Sequence, residues 1–437
     1  MSVTFIAGLI LILFLVLVLI IGVPIGIAMG IMGFVGLVAL VGFKGAFASL
    51  YTIPYSSVAS WSLTVIPMFI LMGSVAAIAG FAKDTYNMTY KWLGRLPGSL
   101  AISTMVGAGF FAAASGSSIA ATATLAKMAI PEMERYNYNL KLAAGSVAMG
   151  GTIAAIIPPS VMLVLFAIVS EQSAGKLLMA GIFPGILTIV MYCALIFVRS
   201  WRNPKLCPVT MKRFSWSERF KSLVSGGVIG IILIFASVIG GILTGVMTPT
   251  QAGAVGAFAA LLISLAARRL NWAKFVETVK DTTKVTCSIF LIIMGAYIFI
   301  QFLAMSRLPI LFSEWIVALP LPRVFVFAGI VLLYLILGCF LEAMGNLLLT
   351  VPFIFTAMVV LGFDGIWLGV IVVKLIELGM ITPPVGLQAF VLHSSCPEIS
   401  LGTIFRGFIP FFLVDLFVTL PILYIFPQIA TFLPGTM

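Results

Sequence analysis

Four interruptions in an otherwise apolar chain hold the residues that could do chemistry. Two are short polar runs, Ser115-Gly116-Ser117-Ser118 and Glu342-Ala343-Met344-Gly345-Asn346. Two are glycine and proline breaks, Gly150-Gly151-Thr152 with Pro158-Pro159-Ser160, and Gly379-Met380-Ile381-Thr382-Pro383-Pro384-Val385-Gly386. Consecutive prolines remove backbone donors and clash with the preceding turn, so a helix ends there. Glycine permits the unwound backbone between two half-helices. The carbonyls freed in this way are ligands for a hard cation, and half-helix N-termini offer positive dipole ends to an anion. That chemistry is the joint recognition of a cation and an anion. A Pro-Pro break can also be a structural kink, and the Ser115–Ser118 run a small-residue packing face. Two breaks, each paired with a polar run, favour function.

Charge within apolar spans is scarce and therefore informative. Glu342 lies in the second polar run, and Glu377 one to two turns before the second break. Lys374 precedes Glu377 by three residues on one helical face, so an internal Lys374–Glu377 pair competes with a site role for Glu377. Asp415, near the middle of the last span, has no partner legible in the sequence. His393 is the one histidine, and the five cysteines at 193, 207, 287, 339 and 396 form no CxxC pair. Neither a metal cluster nor a disulfide framework is indicated. An intramembrane enzyme would need paired Asp, a Ser/His dyad or such a cluster, so no enzyme is expected. No GxxxxGK[ST] occurs, which argues against ATP hydrolysis. Energy then comes from an ion gradient or a partner, and one charge crossing 100 mV yields ~2.3 kcal/mol. No cofactor beyond a coupling ion is expected.

The elements that position these residues are membrane helices. The 437 residues are 62% hydrophobic and 8% charged, with mean hydropathy +1.24, too little polarity to cover a soluble domain. Apolar spans fall at roughly 5–22, 25–42, 60–82, 140–170, 175–199, 223–246, 250–267, 283–305, 365–393 and 402–428, each able to cross a core of about 30 Å. The first has no basic leader or cleavage site, so a retained helix is expected. The stretches 100–131 and 323–357 are too long for one crossing and carry the two polar runs near their middles. Each predicts a re-entrant hairpin, buried in protein or facing a wet cavity.

The chain also repeats itself. Pro158-Pro159 matches Pro383-Pro384, Pro24 matches Pro249, Trp92 with Pro97 matches Trp315 with Pro320, and Pro131 matches Pro352. Gly175 and Pro184 match Gly402 and Pro410. Five crossings plus a hairpin per half make the second half run upside down relative to the first. The expected fold class is an all-α polytopic membrane protein of two inverted repeats, each with five transmembrane helices and one re-entrant hairpin. The first repeat covers 1–200, a cytoplasmic linker 201–222, and the second repeat 223–437. With the linker inside, nineteen Lys and Arg lie on the cytoplasmic side and four outside, namely Lys44, Lys176, Arg307 and Arg323. This bias follows the positive-inside rule and puts both termini outside. The net charge of +11 is topology and gives no reason to expect nucleic acid.

At these motifs the chain resembles the large membrane subunit of tripartite ATP-independent periplasmic (TRAP) transporters. The matching stretches are SGSSIAATATLAKMAIPEM at 115–133, AAGSVAMGGTIAAIIPPS at 143–160, EQSAGKLLMAGIFPG at 171–185, GVMTPTQAGAV at 245–255, LEAMGNLLLTVPF at 341–353 and IELGMITPPVGLQAFV at 376–391. They are spread through both halves, so the resemblance covers essentially the whole chain. It implies an elevator, in which hairpins and broken helices slide against a scaffold of the other spans in a bacterial inner membrane. It implies two partners, a small four-helix membrane subunit and a periplasmic binding protein that delivers an organic acid. It implies sodium as coupling ion, held through Ser115, Ser117, Gly151 and Thr152 in one half and Glu342, Gly345, Gly379 and Thr382 in the other. Gly116, Ser118, Gly150, Pro158, Pro159, Ser160, Ala343, Asn346, Glu377, Pro383, Pro384 and Gly386 complete the expected substrate and ion site. A stand-alone sodium–carboxylate symporter of the same broad fold and a channel stay open as alternatives. No residue selects among C4-dicarboxylates, sialic acids and other carboxylates.

Overall fold

The computed structural model describes residues 22–208 and 214–437. The expected first span at 5–22, the N-terminus, and Lys212 and Arg213 of the linker lie outside the described residues. The described residues form helices joined by short turns, with no strand among them. Eight helices are long and apolar enough to cross a bilayer by length and composition. They include Ile25–Val58, Trp61–Ile78, Ala174–Arg202, Gly226–Leu243, Pro249–Ala266, Trp272–Ser306 and Leu401–Ile425, which coincide with expected spans.

Two helices outrun their expected lengths. Ile25–Val58 continues past position 42, where Gly42 takes a non-helical conformation (φ 74°) and kinks it. Trp272–Ser306 begins eleven residues before the expected span, because the Asn271 side chain caps it by accepting from the Lys274 N–H at 2.9 Å. A polar helical turn outside the membrane carries no apolar signal, so hydropathy alone starts the span too late. These two long helices pack along each other. Gly26 lies against the Leu291–Ile292 backbone, Gly33 against Phe299 and Gly36 against the Phe302 ring. Small residues at such spacing let backbones approach where no solvent drives association.

The expected spans 140–170 and 365–393 are each broken. Leu140–Thr152 ends before the first break and Val161–Val169 resumes after it. Gly365–Gly379 and Leu387–Ser395 do the same around the second. Both Pro-Pro peptide bonds, 158–159 and 383–384, are cis. The stretches expected as hairpins are each two helices, Ser99–Ser115 with Ser118–Arg135, and Arg323–Gly338 with Ala343–Val360. Ala343–Val360 meets the length criterion for a span. Its Thr350 hydroxyl donates to the Tyr334 hydroxyl at 2.9 Å, which ties the two arms of that stretch side by side. The starts Ser99, Ser118, Leu140 and Val161 recur at Arg323, Ala343, Gly365 and Leu387, 224 to 226 residues later.

Trp61, Trp201, Trp216, Trp272 and Trp315 are 59–77% exposed and sit at or beside the ends of helices, where indole rings favour the headgroup level. The protein is a multi-pass membrane protein. Leu140–Thr152 and Gly365–Gly379, which lead into the two breaks, are almost wholly buried.

Candidate substrate and ion site

Each polar run folds against the break of its own half. Gly116 takes a left-handed conformation (φ 62°), and a Cβ there would come within 2.8 Å of the Pro159 carbonyl oxygen. Ser117 caps the following helix, its hydroxyl accepting from the Ala120 N–H at 3.4 Å. In the second half the Cys339 thiol donates to the Pro383 carbonyl at 3.1 Å. The Glu342 carboxylate caps Ala343–Val360 by accepting from the Gly345 N–H at 3.4 Å.

Two hydrogen-bonded links then join the halves. The Ser118 hydroxyl donates to Oε1 of Glu377 at 2.9 Å. The Gln388 amide donates to Oε2 of Glu377 at 3.3 Å, and the Thr122 hydroxyl donates to Oε1 of Gln388 at 2.6 Å. All four side chains are buried, Glu377 at 1% exposure. Among the described residues Glu377 forms no ion pair. A buried carboxylate costs several kcal/mol of lost hydration unless it is compensated, and two hydrogen bonds compensate it in part. A proton or a cation would compensate the rest.

A cavity of about 410 Å³ opens at this junction. Ser115, Gly116, Ser117 and Ser118 line it from one side, Glu342, Ala343 and Met344 from the other, with Glu377 and Met380 between them. The Trp272–Ser306 helix contributes Glu277, Thr278 and Asp281 at the rim. Val65–Ile78 contributes Gly73, which lies directly against the Ser115 backbone. Among the described residues, four that line it are acidic and none is Lys, Arg or His.

The other expected residues stand behind this surface. Gly150, Gly151, Thr152, Pro158, Pro159 and Ser160 are buried. Gly151 is packed against the Thr122 hydroxyl, Thr152 bonds its own Met149 carbonyl at 2.7 Å, and Ser160 caps Val161–Val169 through the Leu163 N–H at 3.2 Å. Gly345 is wedged against the Ile25 side chain, and Gly379 against Gly338 and the Tyr334 carbonyl. Asn346 is fully buried with neither amide atom hydrogen-bonded. Thr382 is half-buried and bonds the Leu378 carbonyl at 2.7 Å. Pro383 and Pro384 are exposed and Gly386 is buried with φ 66°.

One alternative left open by the sequence is not the one seen. Lys374 does not pair with Glu377. Its ammonium lies 2.8 Å from Oδ1 of Asp415 and donates to the Thr188 hydroxyl at 2.9 Å. The Tyr192 hydroxyl donates to Oδ2 of Asp415 at 2.5 Å. The spacing of three suits a helical pair, but Asp415, 41 residues on, is the carboxylate that the ammonium meets. Asp415 opens a single π turn, Asp415–Thr419. Sequence reasoning also missed Thr122 and Gln388. Thr122 stands one helical turn after Ser118 on the same face, which is a usable signal. Gln388 lies across a break from Glu377 and gives none.

The sequence profile described as "Tripartite ATP-independent periplasmic transporter, DctM component" matches residues 11–429. The chain belongs to this DctM family. It is 32% identical over 378 residues to the C4-dicarboxylate TRAP transporter large permease of Pseudomonas aeruginosa, covering 86% of both chains. It is 31% identical over 376 residues to the sialic acid TRAP transporter large permease of Vibrio cholerae, again 86% of both. A permease of Oleidesulfovibrio alaskensis named isethionate DctMQ is 29% identical over 95% of this chain and 64% of its own length. In fold the chain is similar to the YdaH transporter of Alcanivorax borkumensis, with TM-score 0.59, 14% identity and 88% of both chains covered. As a DctM component it is a TRAP large permease and one part of a tripartite transporter.

Proposed function

We propose that this DctM chain is the translocation subunit of a sodium-coupled importer of a small organic acid, working by an elevator movement. The observation that carries the reading is the shared cavity, where both polar tips meet Glu377 and no basic side chain lines the wall. An acid bound there needs cations beside it, which a sodium-coupled cycle supplies. The named substrates of the relatives, a C4-dicarboxylate and sialic acid, support a carboxylate as the cargo class.

In this reading 1–200 and 223–437 are inverted repeats about the linker 201–222. The recurrence of four helix starts at a near-constant offset supports that layout. The hairpin and broken-helix elements move as a transport unit against Ile25–Val58, Val65–Ile78, Gly226–Leu243, Pro249–Ala266 and Trp272–Ser306. The glycine seam between Ile25–Val58 and Trp272–Ser306 suits a fixed scaffold. The bias of basic residues to the loops read as cytoplasmic supports both termini on the periplasmic side of a bacterial inner membrane. A small four-helix membrane subunit and a periplasmic binding protein complete the system. The DctMQ name of one relative supports the first of these.

Proteoliposomes provide the test. This chain alone, with a sodium gradient and candidate acids, is expected to show no uptake, and adding both partners is expected to restore it. Robust uptake by the chain alone would overturn the tripartite reading in favour of a stand-alone symporter. For the ion sites, Thr152→Val and Thr382→Val keep the side-chain volume but remove a hydroxyl. Each is expected to weaken sodium-dependent uptake at unchanged expression. Unchanged sodium dependence in both would remove these two residues from the ion sites.

A further inference from the structure

The buried cluster around Lys374, on the helix that carries Glu377, has a geometry that a plain structural brace does not require. Lys374 and Asp415 are 1% and 2% exposed. Their contact is a close ion pair without hydrogen-bond alignment, while Thr188 and Tyr192 supply the aligned bonds that hold each partner. Thr188 and Tyr192 lie one turn apart on Ile182–Arg202, so that helix grips the ammonium with one residue and the carboxylate with the other. Tyr192 also lies against Thr152 of the first broken helix.

Glu377 is the next carboxylate on the helix that carries Lys374. Residues three apart on a helix have Cβ atoms about 5–6 Å apart, so a lysine stem on Gly365–Gly379 can reach Glu377. Among the described residues no Lys or Arg forms an ion pair with Glu377, and its two oxygens accept one hydrogen bond each. A desolvated ammonium that lost Asp415 would be driven toward the nearest remaining carboxylate.

We infer that Asp415 is a positioning residue that withholds the Lys374 ammonium from the cavity, so that the Glu377 carboxylate stays available to the coupling cation. Asp415 touches neither ion nor substrate and acts through Lys374. The inference rests on the reading of Glu377 as part of the ion site, and adds to it how that site is kept from filling with an internal cation. When Asp415 cannot hold Lys374, the tethered ammonium occupies the place of sodium and competes with it.

The test uses the purified full chain in nanodiscs and sodium itself as the probe. The thermal unfolding midpoint is followed against NaCl at constant ionic strength, with choline chloride as the replacement salt. The wild type is expected to show a saturable, sodium-specific rise. D415N is expected to need at least about fivefold more sodium for half-saturation. K374M/D415N, which removes the competing ammonium, is expected to return to within about twofold of wild type. A brace alone would lower the sodium-free midpoint of D415N while leaving half-saturating sodium unchanged, and that result overturns the proposal. So does a K374M/D415N variant that remains as weak as D415N. If D415N does not fold, T188V/Y192F keeps both charges and removes their anchoring bonds. It is expected to raise half-saturating sodium about threefold, and no change overturns the proposal. E377Q separates the two readings. If it keeps the wild-type sodium response, the ion-site reading fails and the proposal with it. If E377Q loses the response while D415N titrates as wild type, the ion site stands and the proposal alone fails.

Discussion

Glu377→Gln is expected to lower sodium-driven uptake by the assembled transporter at least ~30-fold while leaving the protein folded. The size follows from removing one partner of a desolvated charge interaction, about 2–5 kcal/mol, where 1.4 kcal/mol is tenfold. The fold should survive because glutamine keeps the volume and can still accept from Ser118 through its carbonyl oxygen. Its amide would face the Gln388 amide, which now donates to Oε2, so the Gln388 side chain must turn over and disturb its bond from Thr122. Initial rates at graded sodium, with monodispersity on size-exclusion chromatography as the folding control, give the answer. A variant with wild-type rates and sodium dependence would place Glu377 outside the working site.

The second large effect is on stability. Gly338→Leu puts a Cβ 2.6 Å from the Gly379 Cα and 2.9 Å from its carbonyl carbon. Neither neighbour is a side chain that can turn away, because both are backbone at the end of Gly365–Gly379. Overpacking of this kind costs about 3 kcal/mol, which should appear as a lowered unfolding midpoint and a reduced folded yield. Gly329→Leu, on the same helix, meets nothing within 4 Å and should cost nothing. Equal behaviour of the two variants would mean that close approach of Gly338 and Gly379 is not what the position requires. The pair also changes how Gly379 is understood. Its lack of a side chain is explained by helix contact, whatever its carbonyl does for an ion.

Much of the layout was legible in the sequence because membrane helices are coded by length and apolarity, and breaks by Gly and Pro. The Pro158-Pro159 and Pro383-Pro384 breaks and the glycine-flanked polar tips needed no tertiary information. The start of Trp272–Ser306 was not legible, since its cap lies in a polar segment. Contacts between halves were harder. Ser118 and Glu377 are 259 residues apart, and no local pattern says that one donates to the other. Lys374 misled for the opposite reason. A local partner at helical spacing was visible and the distant one, Asp415, was not. The Thr188 hydroxyl that accepts from Lys374 and the Tyr192 hydroxyl that donates to Asp415 belong to yet another helix.

The absence of any basic side chain from the cavity wall has a consequence for the order of events. Two unit charges 4 Å apart interact by about 4 kcal/mol at an effective dielectric of 20. A carboxylate arriving alone would meet repulsion of that order from a charged Glu342 or Glu377, with nothing on the wall to offset it. A cation meets the same field as attraction. Under the proposed sodium-coupled cycle, loading is expected to be sequenced by charge, cation first and acid second. In that cycle the wall would serve as an electrostatic check valve, keeping accumulated acid from slipping back down its gradient through an unloaded carrier.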